Sequence, residues 1–286
     1  MAKAPRTLKT LRRQIDETDD QLHDLLMRRA ALVAEIGVAK QAAHAGIEVP
    51  LREAEILRRL AGRHRGKLPV GALVRFWREL VGAAIVMQAD FSVAVAVPDD
   101  DPGIWDLARD HYGSQVPLTA YRSPTEVLRA FAEFRADAGV IAVPDDGVDD
   151  PWWQALAGAV DGPRVNARLP FAGRGNARGG HDAFVIGRVS NGVGDRSLFV
   201  VEASGELSRT GLLGALSQSG IGVGVLAQLR GNGSTVALVD VDAPLAADDA
   251  RLSNLTAGLG KQLVHVAPLG SYAKPLAREA ARLAAK

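Results

Sequence analysis

From Leu8 to Ile36 the chain runs without glycine or proline, and Leu8, Leu11, Ile15, Leu22, Leu25, Leu26, Leu32, Val33 and Ile36 recur at three- and four-residue steps. That recurrence is the signature of one helical face. A helix of about thirty residues exceeds the usual globular length and needs another long helix to cover its apolar stripe. The hydrophilic stretch from His44 to Pro50 interrupts the pattern, Pro50 suits the first turn of a second helix, and Arg65-Gly66 closes it. A third helix is expected from Pro69 to about Asp90, with Leu73, Phe76, Trp77, Leu80, Ala84 and Met87 on its apolar face. Residues 1–90 therefore read as an all-α unit of long, short and long helices.

At Phe91 the period changes. Short β-branched runs at 92–98, 116–121 and 138–144 alternate with helical segments, the second of them capped by Ser123 or Thr125, which indicates a parallel α/β unit. Residues 145–180 hold Asp145, Asp146, Asp149, Asp150 and the run GRGNARGG, and read mostly as loop. The remainder follows the order β-α-β-β-α-β, with strands near 198–203, 223–229, 235–241 and 263–267 and helices over 209–220 and 247–258, a ferredoxin-like arrangement. The division expected is 1–90, 91–190, 191–272 and a tail, 273–286, that reads as a surface helix or frayed end.

Charge narrows the partners. The net charge is +1, yet residues 1–90 carry 16 basic and 11 acidic side chains while the rest carries 18 against 22. A modest basic excess on a helical unit suits a small anion and is too interleaved with acids for nucleic acid. Without cysteine there is no disulfide, thiolate metal site or thiol nucleophile. The six histidines lack metal-ligand spacing. Gly220, Gly222 and Gly224 do not form a dinucleotide fingerprint, and GRGNARGG reads as a flexible loop. No signal-type apolar run follows the basic start, and 79–87 is far too short to span a membrane, so a soluble cytoplasmic protein is expected.

The cations of the long helix bear on a site. At about 1.5 Å per residue, Arg29 and Lys40 stand about 16 Å apart on nearly one face, and their long side chains can converge on a small dianion. Arg12 is about 25 Å from Arg29, too far to share a small ligand within one chain. Two such helices packed antiparallel about a two-fold axis near residues 22–24 would bring Arg12 of one copy to the Arg29–Lys40 stretch of the other, building two identical composite sites. Arg13, Arg28, Arg58 and Arg59 read as solvated surface residues. Arg29 differs, because it interrupts the apolar stripe between Leu25, Leu26 and Leu32, where an unpaired charge is costly.

The motifs LRRQIDETDDQLHDLLMRR, IGVAK, PLREAEILRRL and FWRELVGAAIVMQ, spread over residues 8–88, resemble the all-helical chorismate mutases. That resemblance implies an intertwined homodimer that rearranges chorismate to prephenate in aromatic amino-acid biosynthesis. The reaction is pericyclic and needs no proton donor, nucleophile, metal or cofactor, so positioning and preorganised charge supply the catalysis. The resemblance assigns the carboxylates of chorismate to Arg29 and the second copy's Arg12, with Arg52 in support. It aims Lys40 at the ether oxygen, gives the ring hydroxyl to Glu53, and has Gln88 donate a second bond to the ether oxygen. Val49 stands where the family often has Asp, and Ala84 where a small hydroxyl residue often lies. Glu53 also has a plainer reading, as an acid favouring the start of a helix.

Further on, AYRSPTEVLRAF, ADAGVIAVPDDG and GGHDAFVIGR resemble prephenate dehydratases. Their Thr-Arg-Phe motif reads Asp182-Ala183-Phe184 here, Pro144-Asp145-Asp146 replaces their Glu-Asn-Ser turn, and too few residues remain for a second lobe. This segment is expected to be catalytically dead. GELSRTGLLGALSQSGIGV and PLGSYAKP resemble the ACT domain that follows dehydratases, which implies an aromatic amino-acid effector. Ala227-Gln228-Leu229-Arg230 replaces the Glu-Ser-Arg-Pro segment associated with that binding. Open alternatives are a non-catalytic metabolite-sensing regulator, a bifunctional mutase and dehydratase, and isochorismate pyruvate lyase.

Overall fold

The computed structural model describes residues 6–43, 49–98, 101–146, 150–157, 162–188, 192–231, 233–246 and 248–276. The break expected at 44–48 and most of the tail lie outside them. Helix α1, Leu8–Ala42, opens on Thr7, whose hydroxyl accepts from the Thr10 N–H. Helix α2, Pro50–Arg63, has proline in its first turn, and Val49 ahead of it offers no side-chain cap. Helix α3, Val70–Gln88, runs beside the second half of α1 in the same direction: Arg29 Nη1 donates to the Leu80 carbonyl, and Gln41 Nε2 to that of Gln88. Within the single chain the apolar stripe of α1 stays uncovered. Leu11, Ile15, Leu22, Leu25, Leu32 and Ile36 are exposed in the single chain, and only Val33 and Gly37 of α1 are buried. The physical reason is reach, since α3 aligns with only the C-terminal part of a 35-residue helix.

Strands β1 (Val93–Ala96), β2 (Leu118–Tyr121) and β3 (Ala138–Ala142) pair in parallel, connected by α4 (Gly103–Tyr112) and α5 (Pro124–Ala132). Ser123, rather than Thr125, caps α5. The stretch expected as loop forms a short helix α6, Trp152–Ala157, and strand β4, Arg164–Leu169, which pairs antiparallel with β5, Ala183–Gly187. Sequence pattern hid β4 because Arg164 and Arg168 occupy it; Arg168 answers the carboxylates of Asp182 and Asp240 at 3.0 and 3.1 Å.

Strand β6 (Arg196–Ser204), helix α7 (Arg209–Gln218), strands β7 (Val223–Gly231) and β8 (Ser234–Val241), helix α8 (Ala250–Leu259) and strand β9 (Leu263–Tyr272) complete the chain. All pairings among these four strands are antiparallel, and one mixed sheet runs β2-β1-β3-β5-β4-β9-β6-β8-β7. The halves meet where Val165 pairs with Gly270, whose φ of +149° and closeness to Val165 exclude a side chain: a Cβ there would stand 2.1 Å from the Val165 carbonyl oxygen. Beside this seam the buried Tyr272 hydroxyl donates to Asp240, which also receives Arg196 Nε and Arg168 Nη1. Burial, with the Asp240 charge, pushes the Tyr272 phenol up to about 12.

Two contacts lock the helical unit and the GRGNARGG run to α4. Gly82 of α3 lies so close to the end of α4 that a Cβ would fall 1.9 Å from the Tyr112 carbonyl oxygen. Gly82→Ala is expected to destabilise the fold by about 2 kcal/mol, measured by urea unfolding. The glycine-arginine run is tied down rather than flexible: Arg178 grips Asp106 through Nε at 2.7 Å and Nη2 at 2.8 Å. Hydrogen bonds from Arg178 hold the Asp106 carboxyl down at about 2. A depressed acid stabilises the fold above its unfolded value and loses that contribution as pH falls toward the folded one. Asp106→Asn is therefore expected to flatten the stability profile between about pH 4 and 2, and to cost under about 1 kcal/mol at pH 7, where the solvent-facing guanidinium is screened.

Candidate active site

Three helices bring Lys40, Glu53 and Gln88 together. Lys40 sits in the last turn of α1, Glu53 in the first turn of α2, and Gln88 at the end of α3. Gln88 packs on Gly37, one turn before Lys40, so closely that a Cβ on Gly37 would be 3.0 Å from its Cγ. Burial lowers the Lys40 pKa, and the Glu53 carboxylate opposes that shift from nearby. Gln88 Nε2 donates to the Ala84 carbonyl at 2.7 Å, which leaves its Oε1 buried without a partner. A buried acceptor of that kind is costly unless it meets a donor. Arg29 is half-buried further along α1, and burial lowers its pKa as well.

The arrangement rests on a residue that sequence reading missed. Arg78, only 4% exposed, donates from Nη1 to Glu53 Oε2 at 2.7 Å, and its guanidinium stacks on the Phe171 ring. Glu53 is thus more than a helix-dipole acid: it is buried between an arginine and the Lys40 ammonium. The missed signal was position, since an arginine three residues before Val81 and seven before Ile85 falls on the apolar face of α3. Arg78→Met is expected to cost about 3 kcal/mol in denaturant unfolding, because it strands a buried carboxylate.

The remaining expected members are not gathered within one chain. Arg12 lies in the exposed first half of α1. Arg52 is exposed and bonded to Glu55 at 2.9 Å. Of the arginines expected at the surface, Arg58 instead clasps Asp195 and the Lys274 carbonyl, joining α2 to the sheet. In the middle segment Asp182 accepts Arg168 and Arg174, while Phe184 is fully buried.

Comparison with known proteins gives this geometry its context. A bifunctional chorismate mutase/prephenate dehydratase from Aquifex aeolicus is 31% identical over 140 residues, which is 48% of this chain and 38% of the relative. The protein of the same description from Pseudomonas aeruginosa is 27% identical over 143 residues, with the same coverage. The matched stretch therefore spans well under half the length of these relatives. Among solved structures, prephenate dehydratase from Streptococcus mutans aligns with 65% of this chain and 100% of its own at a TM-score of 0.44 and 14% identity. Residues 11–89, which include Lys40, Glu53, Arg78 and Gln88, match the family model described as chorismate mutase type II.

Proposed function

We propose that the chain is a cytoplasmic chorismate mutase acting as a homodimer, with residues 1–90 as its catalytic unit. The observation that carries this reading is the convergence of a desolvated ammonium, a buried carboxylate and a half-buried amide from three separate helices. A cation and hydrogen-bonding groups fixed in a partly dry site suit a reaction whose barrier falls through charge stabilisation and conformational restriction alone.

In this reading Lys40 stabilises charge growing on the ether oxygen as its C–O bond breaks, and Glu53, held by Arg78, takes the ring hydroxyl. Gln88 supports the ether oxygen, and Arg29 with the second copy's Arg12 binds the carboxylates, with Arg52 assisting from the rim. Support for the dimer comes from α1, whose exposed apolar residues Leu11, Ile15, Leu22, Leu25, Leu32 and Ile36 form a contiguous stripe. Residues 91–190 serve as a dehydratase-like segment without the Thr-Arg pair. Residues 191–272, in the strand order β9-β6-β8-β7, serve as an ACT-like module for an aromatic amino-acid effector.

Purified protein incubated with chorismate tests the reading. Chorismate is expected to disappear, with phenylpyruvate appearing only after acid treatment. Phenylpyruvate before acid would mean dehydratase activity, pyruvate release would mean the lyase, and no turnover would refute the mutase.

A further inference from the structure

A second polar centre adjoins the mutase residues, with Arg78, the partner of Glu53, in its wall. Helices α3 and α4 and the segment following β4 enclose a cavity of about 390 Å³. Its outer wall carries the partly exposed ion pair of Arg75 and Asp110, with Arg75 Nη1 also donating to Asn176 Oδ1 at 2.9 Å. Leu107, Leu169 and Phe171 line it inside. At its buried end stands His111, 5% exposed, both of whose ring nitrogens lack a hydrogen-bond partner. Arg78 and His111 also line a small adjoining recess with Asn166, whose Oδ1 is likewise buried and unpartnered.

These groups specify a ligand by their order from mouth to floor. A cation beside an anion matches an amino-acid head group better than a lone carboxylate, which Asp110 would repel. Burial drives the Asp110 carboxyl up despite Arg75, so an ammonium alongside it would relieve an existing cost. The apolar wall suits an aromatic or large aliphatic body. His111 is neutral, since burial and then the Arg78 charge drive its pKa well down, and a neutral imidazole offers one donor and one acceptor. A purely apolar ligand would leave both unmet, whereas a terminal hydroxyl satisfies one.

We propose that this cavity binds one α-amino acid whose side chain is apolar along its length and ends in a hydroxyl, the chemistry of tyrosine. The site borders the mutase centre at Arg78 but takes a ligand different from that of the mutase reading, and it lies apart from any effector at residues 191–272.

Isothermal titration of the full chain with L-tyrosine and L-phenylalanine tests it, beside the variants His111→Leu and Ala72→Trp, with thermal melts confirming that each is folded. Ala72 is an exposed residue on the cavity rim, so a tryptophan there fills the opening without entering the core. The expected result is saturable binding of L-tyrosine, tighter than L-phenylalanine by about tenfold or more, because only tyrosine satisfies the imidazole. His111→Leu should erase that preference, and Ala72→Trp should weaken both ligands by about tenfold or more. Absence of tyrosine binding up to its solubility limit, equal affinity for the two amino acids, or full affinity in Ala72→Trp would each overturn the proposal, the last by placing the ligand elsewhere.

Discussion

Lys40→Ala is expected to lower kcat for chorismate consumption by about 100- to 1000-fold, the usual consequence of deleting one preorganised group that stabilises transition-state charge. In the proposed reaction the ammonium meets charge that grows only as the ether bond breaks, so the loss is expected in kcat. Folding should survive. Lys40 is partly desolvated, and Glu53 keeps its bond to Arg78, so no buried carboxylate is stranded by the change. Burial also fixes the sign of a pH effect: the Lys40 pKa lies below the ordinary lysine value of 10.5, so turnover should begin to fall on the alkaline side earlier than an exposed lysine would allow. Turnover of Lys40→Ala equal to that of the unaltered chain, with unchanged stability, would remove this ammonium from the reaction.

The parts of the fold legible in the sequence are those whose apolar residues follow one simple period. The helices α1 to α3 and the strands β1 and β3 announce themselves in this way, although the faces so marked are not all buried within the chain: the stripe of α1 is exposed, Phe76 and Met87 of the face expected for α3 are exposed, and the buried face of α3 carries Arg78. Strand β4 does not, since two arginines stand in it: Arg168 is answered by the carboxylates of Asp182 and Asp240, which are invisible along the strand itself, while Arg164 turns back on the carbonyls of Gly162 and Pro163 just before it. The six-residue helix α6 is too short for periodicity to register. The same limit applies to the site. Lys40, Glu53 and Gln88 are picked out by the family resemblance, whereas Arg78, although it falls in line with Val81 and Ile85, shows its role only once its partner Glu53, 25 positions away, is seen beside it.

The remaining question is what α1 buries, and its sequence is self-complementary. Leu11, Ile15, Thr18, Leu22, Leu25, Arg29, Leu32 and Ile36 follow alternating four- and three-residue steps, the spacing of a coiled-coil seam. Antiparallel pairing with a second copy about a point between residues 23 and 24 sets Leu11 opposite Ile36, Ile15 opposite Leu32, Leu22 opposite Leu25, and Thr18 opposite Arg29. Each apolar position meets another, and the one charged position meets a hydroxyl. The same register lays Arg12 of one copy alongside Glu35 of the other, between Arg29 and Lys40. In that register Arg12→Ala and Lys40→Ala are expected to act on the same composite site from different chains. Each homodimer should be nearly inactive. If the two are unfolded together and refolded as a mixture, half of the dimers become hybrids, in which one site carries both defects and the other carries neither. Activity is then expected to recover to about a quarter of the unaltered level, the statistical yield for a two-fold dimer with shared sites. A mixture as inactive as its parents, with sedimentation showing that hybrids have formed, would mean that Arg12 serves its own chain and that the sites are not shared.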